Sequence, residues 1–183
     1  MSNLWLISDT HFGHDKEFIY LPRKFQTVEE MNEAIVERWN ANVKEQDTVY
    51  LLGDVAMGPI DNINFLTRLK GQIYLAIGNH DTETRLNAIK QLPNIKSIEF
   101  GYRLKDGRIT FLLTHYPQLT GNYDKSHTYS IHGHTHLSNP FTPDFDLMYN
   151  VNCESQNCTP VAFEDMRQQI KEKRINFNMV KNN

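Results

Sequence analysis

Short apolar runs alternate with amphipathic stretches through the first half of the chain. "LWLIS" at 4–8 has the length and composition of a buried strand, and it runs into the polar loop "DTHFGH". From Thr27 the period lengthens. Val28, Met31, Ile35 and Trp39 recur at helical spacing behind a capping box of Thr27 and Glu30, predicting an amphipathic helix of about four turns. "DTVYLLGD" at 47–54 reads as a second buried strand ending in Gly-Asp. Pro59 then opens a short helix carrying Ile60, Ile63, Phe65, Leu66 and Leu69. "QIYLAIGNHD" is a third strand that again ends at glycine. The first half therefore reads βαβαβα.

After residue 96 the rhythm changes. "SIEFGYRLKDGRITFLLTHY" has the marks of an antiparallel hairpin with Asp106-Gly107 as its two-residue turn. "YSIHGHTH" and "LMYNVNC" read as further strands, and "AFEDMRQQIKEK" as a closing helix. In "IHGHTH", strand alternation would place His134 and His136 side by side on one face, with His132 joining them if the strand stayed regular through Gly133. A turn whose polar residues are histidines is the alternative for an isolated His-x-His. No repeat, low-complexity tract or linker interrupts the pattern. The 183 residues are read as a single domain, 1–183, large enough for a core without disulfides.

Composition narrows the class but not the chemistry. With 39% hydrophobic and 22% charged residues the chain has the profile of a soluble globular protein. "MSNLWLISD" lacks a basic region and its apolar run is cut by Asp9, so no signal peptide is expected. No apolar run approaches the roughly 20 residues a membrane helix needs, and a cytoplasmic location is expected. A net charge of −3 supplies no global attraction to nucleic acid. The basic C-terminal stretch, with Arg167, Lys171, Lys173, Arg174 and Lys181, is read as a solvated helix end and tail. Cys153 and Cys158 do not have the spacing of a zinc knuckle and are read as structural thiols.

Five strands end in polar clusters: "SDTH", "LGDV", "IGNHD", "LTHY" and "HGHTH". Ligands in open α/β sheets gather outside the carboxyl ends of strands, so five such ends point to one place. The residues collected there are Asp9, His11, Asp54, Asn79, His80, His115, His134 and His136. Carboxylates, imidazoles and one amide oxygen suit Mn²⁺, Fe or Zn²⁺ and serve copper(I) or an iron–sulfur cluster poorly. They are too many for one tetrahedral ion. Seven of them could serve two ions that share a carboxylate.

These motifs closely resemble the calcineurin-like metallophosphoesterases, whose pattern D-x-H, G-D, G-N-H-D/E, a lone H and G-H-x-H stands here as "DTH", "GDV", "GNHD", "THY" and "GHTH". The resemblance implies an α/β fold, a four-layer αββα sandwich of two mixed β-sheets flanked by helices. It implies one metal on Asp9, His11, Asp54 and His136 and a second on Asp54, Asn79, His115 and His134, with Asp54 bridging. Mn²⁺ is the expected metal, and Fe, Zn²⁺, Ni²⁺ or Co²⁺ would also suit the donors. The implied reaction is hydrolysis of a phosphodiester or phosphomonoester by a hydroxide bridging the two ions. His80 is then the group that protonates the leaving oxygen, with Asp81 as a partner holding its imidazole and Asn79 also near the substrate.

Other assignments rest on less. His14 either lies beside the site or caps its loop. Arg23 falls where small relatives carry an Arg ahead of an aromatic; it either binds a phosphate oxygen or is solvated. His132 matches no family ligand and is read as a packed neighbour. The second motif continues "GDVAM", without the further acid that many relatives carry. The expected partner is a small phosphate ester. A nuclease is the alternative, although 183 residues leave no space for a capping domain, and an inactive phosphoesterase-fold scaffold is a third reading that the complete ligand set opposes.

Overall fold

β1, Leu4–Ile7, turns Leu6 and Ile7 to opposite sides, and each joins a different core. The computed structural model describes residues 2–119, 127–141 and 147–181, with side chains as far as residue 173. After β1 come α1 (Glu17–Tyr20), α2 (Val28–Asn42), β2 (Thr48–Leu51), a 3₁₀ helix (Ile60–Arg68), β3 (Gln72–Ala76), α3 (Glu83–Ile89) and β4 (Ile95–Glu99). The remainder is β5 (Gly101–Asp106), β6 (Ile109–Thr114), β7 (Thr128–His132), β8 (Met148–Asn150), β9 (Val161–Ala162) and α4 (Phe163–Lys181). Five strands form one sheet in the order β4-β3-β2-β1-β9, with β9 antiparallel. Four form the other in the order β5-β6-β7-β8, with β5 antiparallel to β6. The fold is thus α/β, two mixed sheets flanked by helices.

The first core lies under α2 and the 3₁₀ helix, where Met31, Ile35, Trp39 and Leu66 cover Ile7, Val49, Leu51, Ile73 and Leu75. The second joins the two sheets. It packs Leu6, Leu52 and Ala76 against Phe111, Leu113, Ile131 and Tyr149, and Met166 and Ile170 of α4 enter it as well. The capping box of α2 forms with one variation: Thr27 Oγ1 accepts from the Glu30 amide at 3.1 Å, while the Glu30 carboxylate reaches the Gln26 amide and not that of Thr27.

Two parts of the strand reading are corrected. Ser97–Glu99 belongs to β4, which pairs with β3 in the first sheet, so the hairpin begins only at Gly101. The turn is also one residue later than expected. Asp106 pairs with Ile109, leaving Gly107 and Arg108 as the central residues, with Gly107 at φ +56°, which suits the first position of a type II′ turn. The third helix of the βαβαβα pattern, for which the sequence marks no residues, is α3; Thr82 caps it by accepting from the Arg85 amide. Part of the basic C-terminal stretch is engaged at the surface: Arg167 pairs with Asp106 and Glu164, and Lys173 sits over the Phe141 ring. The Arg174 and Lys181 side chains lie outside the described residues. Among the described residues no helix is long and apolar enough to cross a membrane.

Candidate metal centre

The polar clusters follow β1, β2, β3, β6 and β7, and the parallel register of β1, β2 and β3 brings their ends to one rim. Backbone strain is concentrated there. Asp9, His11, Asp54, His134 and His136 all have left-handed φ values between +47° and +66°. A non-glycine residue in that region costs on the order of 1–3 kcal/mol, and such strain persists where the surroundings over-determine it. The loops are also stripped of bulk. A Cβ on Gly133 would collide with Ser8 and the Asp9 carboxylate, and one on Gly53, at φ +85°, would lie 2.7 Å from His115 Nδ1.

The left-handed bends correct the reading of "IHGHTH". β7 ends at His132, and His134 and His136 stand in the loop beyond it, so strand alternation does not align them. The bends send them apart. His134 Nδ1 lies 2.9 Å from Asn79 Oδ1, while His136 Nε2 lies 3.6 Å from Asp9 Oδ1. His132 is buried behind them with Nδ1 against the Gly133 carbonyl.

Asp54 is central. Its Oδ1 accepts from the His80 amide at 2.8 Å, which leaves Oδ2 facing His115 Nε2 at 3.4 Å, His11 Nε2 at 3.7 Å and His80 Nε2 at 4.0 Å. Asp9, wholly buried, accepts from Ser8 Oγ at 2.6 Å and from the His134 amide. Asp9, His11 and His136 each present a ligand atom within 4.8 Å of the others, and so do Asp9, Asp54 and His115.

The donor set fits divalent cations. His11 is 1% exposed, yet neither of its ring nitrogens has a hydrogen-bond partner. A buried polar group left so is costly unless a ligand completes it. His115 Nδ1 faces the Leu52 carbonyl at 2.8 Å and must carry the proton there, so the Nε2 lone pair points at Asn79 Oδ1, 2.8 Å away. A divalent cation shared by the two would satisfy both lone pairs. Asp9, His11, Asp54, Asn79, His115, His134 and His136 are therefore all within one cluster of mutually facing donors.

Burial dominates the electrostatics. It raises the Asp9 carboxyl to about 6 and pushes Asp81 up, and it lowers His11, His14, His132 and His134. The consequence for metal-free protein between pH 6.5 and 4.5 has a definite sign. The two carboxyls bind protons first in the folded state, which favours folding as pH falls. The four imidazoles bind protons first in the unfolded state, and Glu154, held at about 2, joins them toward pH 4.5; His136, raised by its Glu154 hydrogen bond, sides with the two carboxyls, and the opposing groups remain the more numerous. Chelator-treated protein is therefore expected to melt at a lower temperature at pH 5 than at pH 6.5, and an equal or higher melting temperature at pH 5 would contradict this balance.

Two assignments change. Arg23 is not available to a substrate phosphate: its buried guanidinium donates to the Asp9 and Thr10 carbonyls and, at 2.7 Å, to Glu154 Oε1. The bend at Asp9 leaves those carbonyls without strand partners, and the planar fork satisfies both. Asp81 does not hold the His80 ring, because its carboxylate accepts from the amides of Asp54, Val55 and Gly78 and ties the β2 and β3 loops together. His14 lies beside the cluster, its ring centroid 5.3 Å from that of His11. His80 stands at the open rim with its side chain 44% exposed.

Glu154 escaped the sequence reading. Its Oε1 lies 2.9 Å from His136 Nδ1, which fixes the proton on that nitrogen and leaves Nε2 free toward Asp9. Burial alone would raise this carboxyl, but the His136 hydrogen bond and the Arg23 charge hold it at about 2. The available signal was "LMYNVNCE", one more strand running into an acid. Glu154→Gln is expected to weaken metal binding at Asp9, His11 and His136 by about 10–100-fold and, by leaving the buried Arg23 charge unpaired, to lower the melting temperature as well. Metal titration of the variant checks this, and unchanged affinity would reduce Glu154 to a partner of Arg23. Cys153 and Cys158 are buried, unbridged and on either side of it.

Comparison with known proteins gives the family and the fold. The model of the calcineurin-like phosphoesterase superfamily domain matches residues 3–150. An uncharacterized protein of Methanocaldococcus jannaschii is 34% identical over 174 residues, covering 90% of this chain and 89% of that protein. The gene 66 protein of Mycobacterium phage D29 is 26% identical over 164 residues, covering 74% of this chain and 79% of that one. Among solved structures, a protein of unknown function from Aquifex aeolicus superposes with a TM-score of 0.71 at 24% identity, covering 92% of this chain and all of that one. That last likeness is one of fold.

Proposed function

The chain belongs to the calcineurin-like phosphoesterase superfamily, and from that premise we propose that it is a metal-dependent hydrolase of phosphate esters working at a dinuclear site. The observation that carries the reading is His11, buried between Asp9 and Asp54 with both ring nitrogens unpartnered. Asp9, His11, Asp54 and His136 would hold one ion, and Asp54, Asn79, His115 and His134 the other, with Mn²⁺ the expected occupant of both. Bound there, two divalent ions would neutralise the charge of the ester and make water acidic enough to attack phosphorus near neutral pH.

The protein's own groups supply the rest. Ser8 and the His134 amide fix the Asp9 carboxylate, Leu52 fixes the His115 tautomer, and Glu154 fixes that of His136. His80 would protonate the departing oxygen. Its amide is anchored on Asp54 Oδ1 while its ring reaches the open rim, so an ester seated against the cluster meets it on the solvent side.

The test is hydrolysis of aryl phosphomonoesters, phosphodiesters and 2′,3′- and 3′,5′-cyclic nucleotides by protein stripped with chelator and reloaded with Mn²⁺. Activity that vanishes on stripping and returns on reloading is expected. No turnover of any ester at full metal occupancy would overturn the reading.

A further inference from the structure

A groove of about 630 Å³ opens beside the candidate centre. His115 is shared between the two: its ring faces Asp54 and Asn79, and it also forms one wall of the groove. Tyr116 continues that wall outward, its ring centroid 5.1 Å from that of His115 and 4.6 Å from that of His134. Phe100, in the one-residue break between β4 and β5, also lines the groove and is 86% exposed; Tyr116 is 46% exposed. Two exposed aromatic rings thus line a groove that adjoins a cluster suited to phosphate, and one of them, Tyr116, packs on its histidines.

Polar groups of the groove are mostly committed. The Tyr102 hydroxyl serves the Leu75 carbonyl and Ser97, and Thr114 and Gln118 both donate to the Tyr116 carbonyl. Arg103 differs: among the described residues its guanidinium has no hydrogen bond or ion pair, and it lines the same groove. A bare sugar would find few partners on these walls, and an alkyl chain would leave the guanidinium unused. A flat heteroaromatic group uses both, lying against the rings and accepting from Arg103 at its edge. The volume accommodates a group of nucleoside size.

The geometry points to a nucleoside as the organic part of the ester, its base in the groove against Phe100 and Tyr116 and its phosphate toward His115. This rests on the phosphoesterase reading and goes past it to a substrate class.

The experiment is equilibrium binding, by calorimetry on Mn²⁺-loaded protein, of the non-hydrolysable 5′-phosphonate analogue of adenosine monophosphate and of methylphosphonate. The nucleoside phosphonate is expected to bind at least about tenfold tighter, the gain of stacking one base. Phe100→Ala, at an exposed position, and Phe100→Ala/Tyr116→Ala are expected to remove most of that preference while the methylphosphonate affinity stays constant. Equal binding of the two probes by the wild-type protein, or a preference that survives in the double variant, would overturn the inference. The two readings fail separately. Preference without hydrolysis of any ester would sink the phosphoesterase reading and leave the groove as a nucleotide site; hydrolysis without preference would remove the groove alone.

Discussion

Replacing Asp54 by Asn is expected to empty both metal positions and to lower hydrolysis by about a thousandfold or more, with the fold retained. Asn is the informative substitute because it tolerates the left-handed backbone that Asp54 adopts at φ +53°. Its amide oxygen can still accept from the His80 amide, so the β3 loop keeps its anchor. What changes is the second oxygen, the one that faces His115, His11 and His80 from between 3.4 and 4.0 Å. An NH₂ group there carries no charge and turns hydrogens toward the cluster. Loss of several kcal/mol of charge stabilisation corresponds to the stated fall in rate. Elemental analysis and circular dichroism of the purified variant check it. Full occupancy of both metal positions in Asp54→Asn would remove the bridging role.

His80→Ala is expected to keep both ions and to hydrolyse esters of poor leaving groups about 10²–10⁴-fold more slowly, the usual contribution of a general acid. The ring approaches Asp54 Oδ2 no closer than 4.0 Å and stands in solvent, so removing it opens no cavity in either core. The size of the defect should depend on the substrate. p-Nitrophenolate leaves with little help from a proton, whereas an alkoxide or a nucleoside oxygen does not. Measured kcat/KM for the variant should therefore approach wild-type on p-nitrophenyl esters and fall far below it on alkyl or nucleoside esters. An equal loss on both, with metal content unchanged, would assign His80 to orienting the phosphoryl group.

Legibility followed the range of the interactions concerned. The runs that became β1, β2 and β3 were visible because burial on both faces needs only a few consecutive apolar residues. α2 was visible because its period and its cap lie within its own segment. α3 follows from the βαβαβα pattern but could not be located, since seven residues with one buried position, Ile89, carry almost no periodic signal. β4 was assigned to the wrong sheet for a related reason. Its residues and those of β5 are all strand-like, and only the choice between β3 and β6 as neighbour separates them.

The same division runs through the candidate centre. The sequence determined which strand ends carry imidazoles and carboxylates, because residue type and strand ending are local properties, and the structure brings all seven expected ligands into one cluster. Direction was not local. That His134 turns to Asn79 while His136 turns to Glu154 depends on two left-handed residues packed against Asp9, 125 positions away in the chain. Arg23 and Glu154 are 131 positions apart, and neither looks unlike a solvated surface residue until the loops after β1 and β8 are brought together. Once buried side by side, each needs the other, because an unpaired charge in that position would bear the full cost of its lost hydration. Tertiary structure alone made that pair, and with it the support beneath His136.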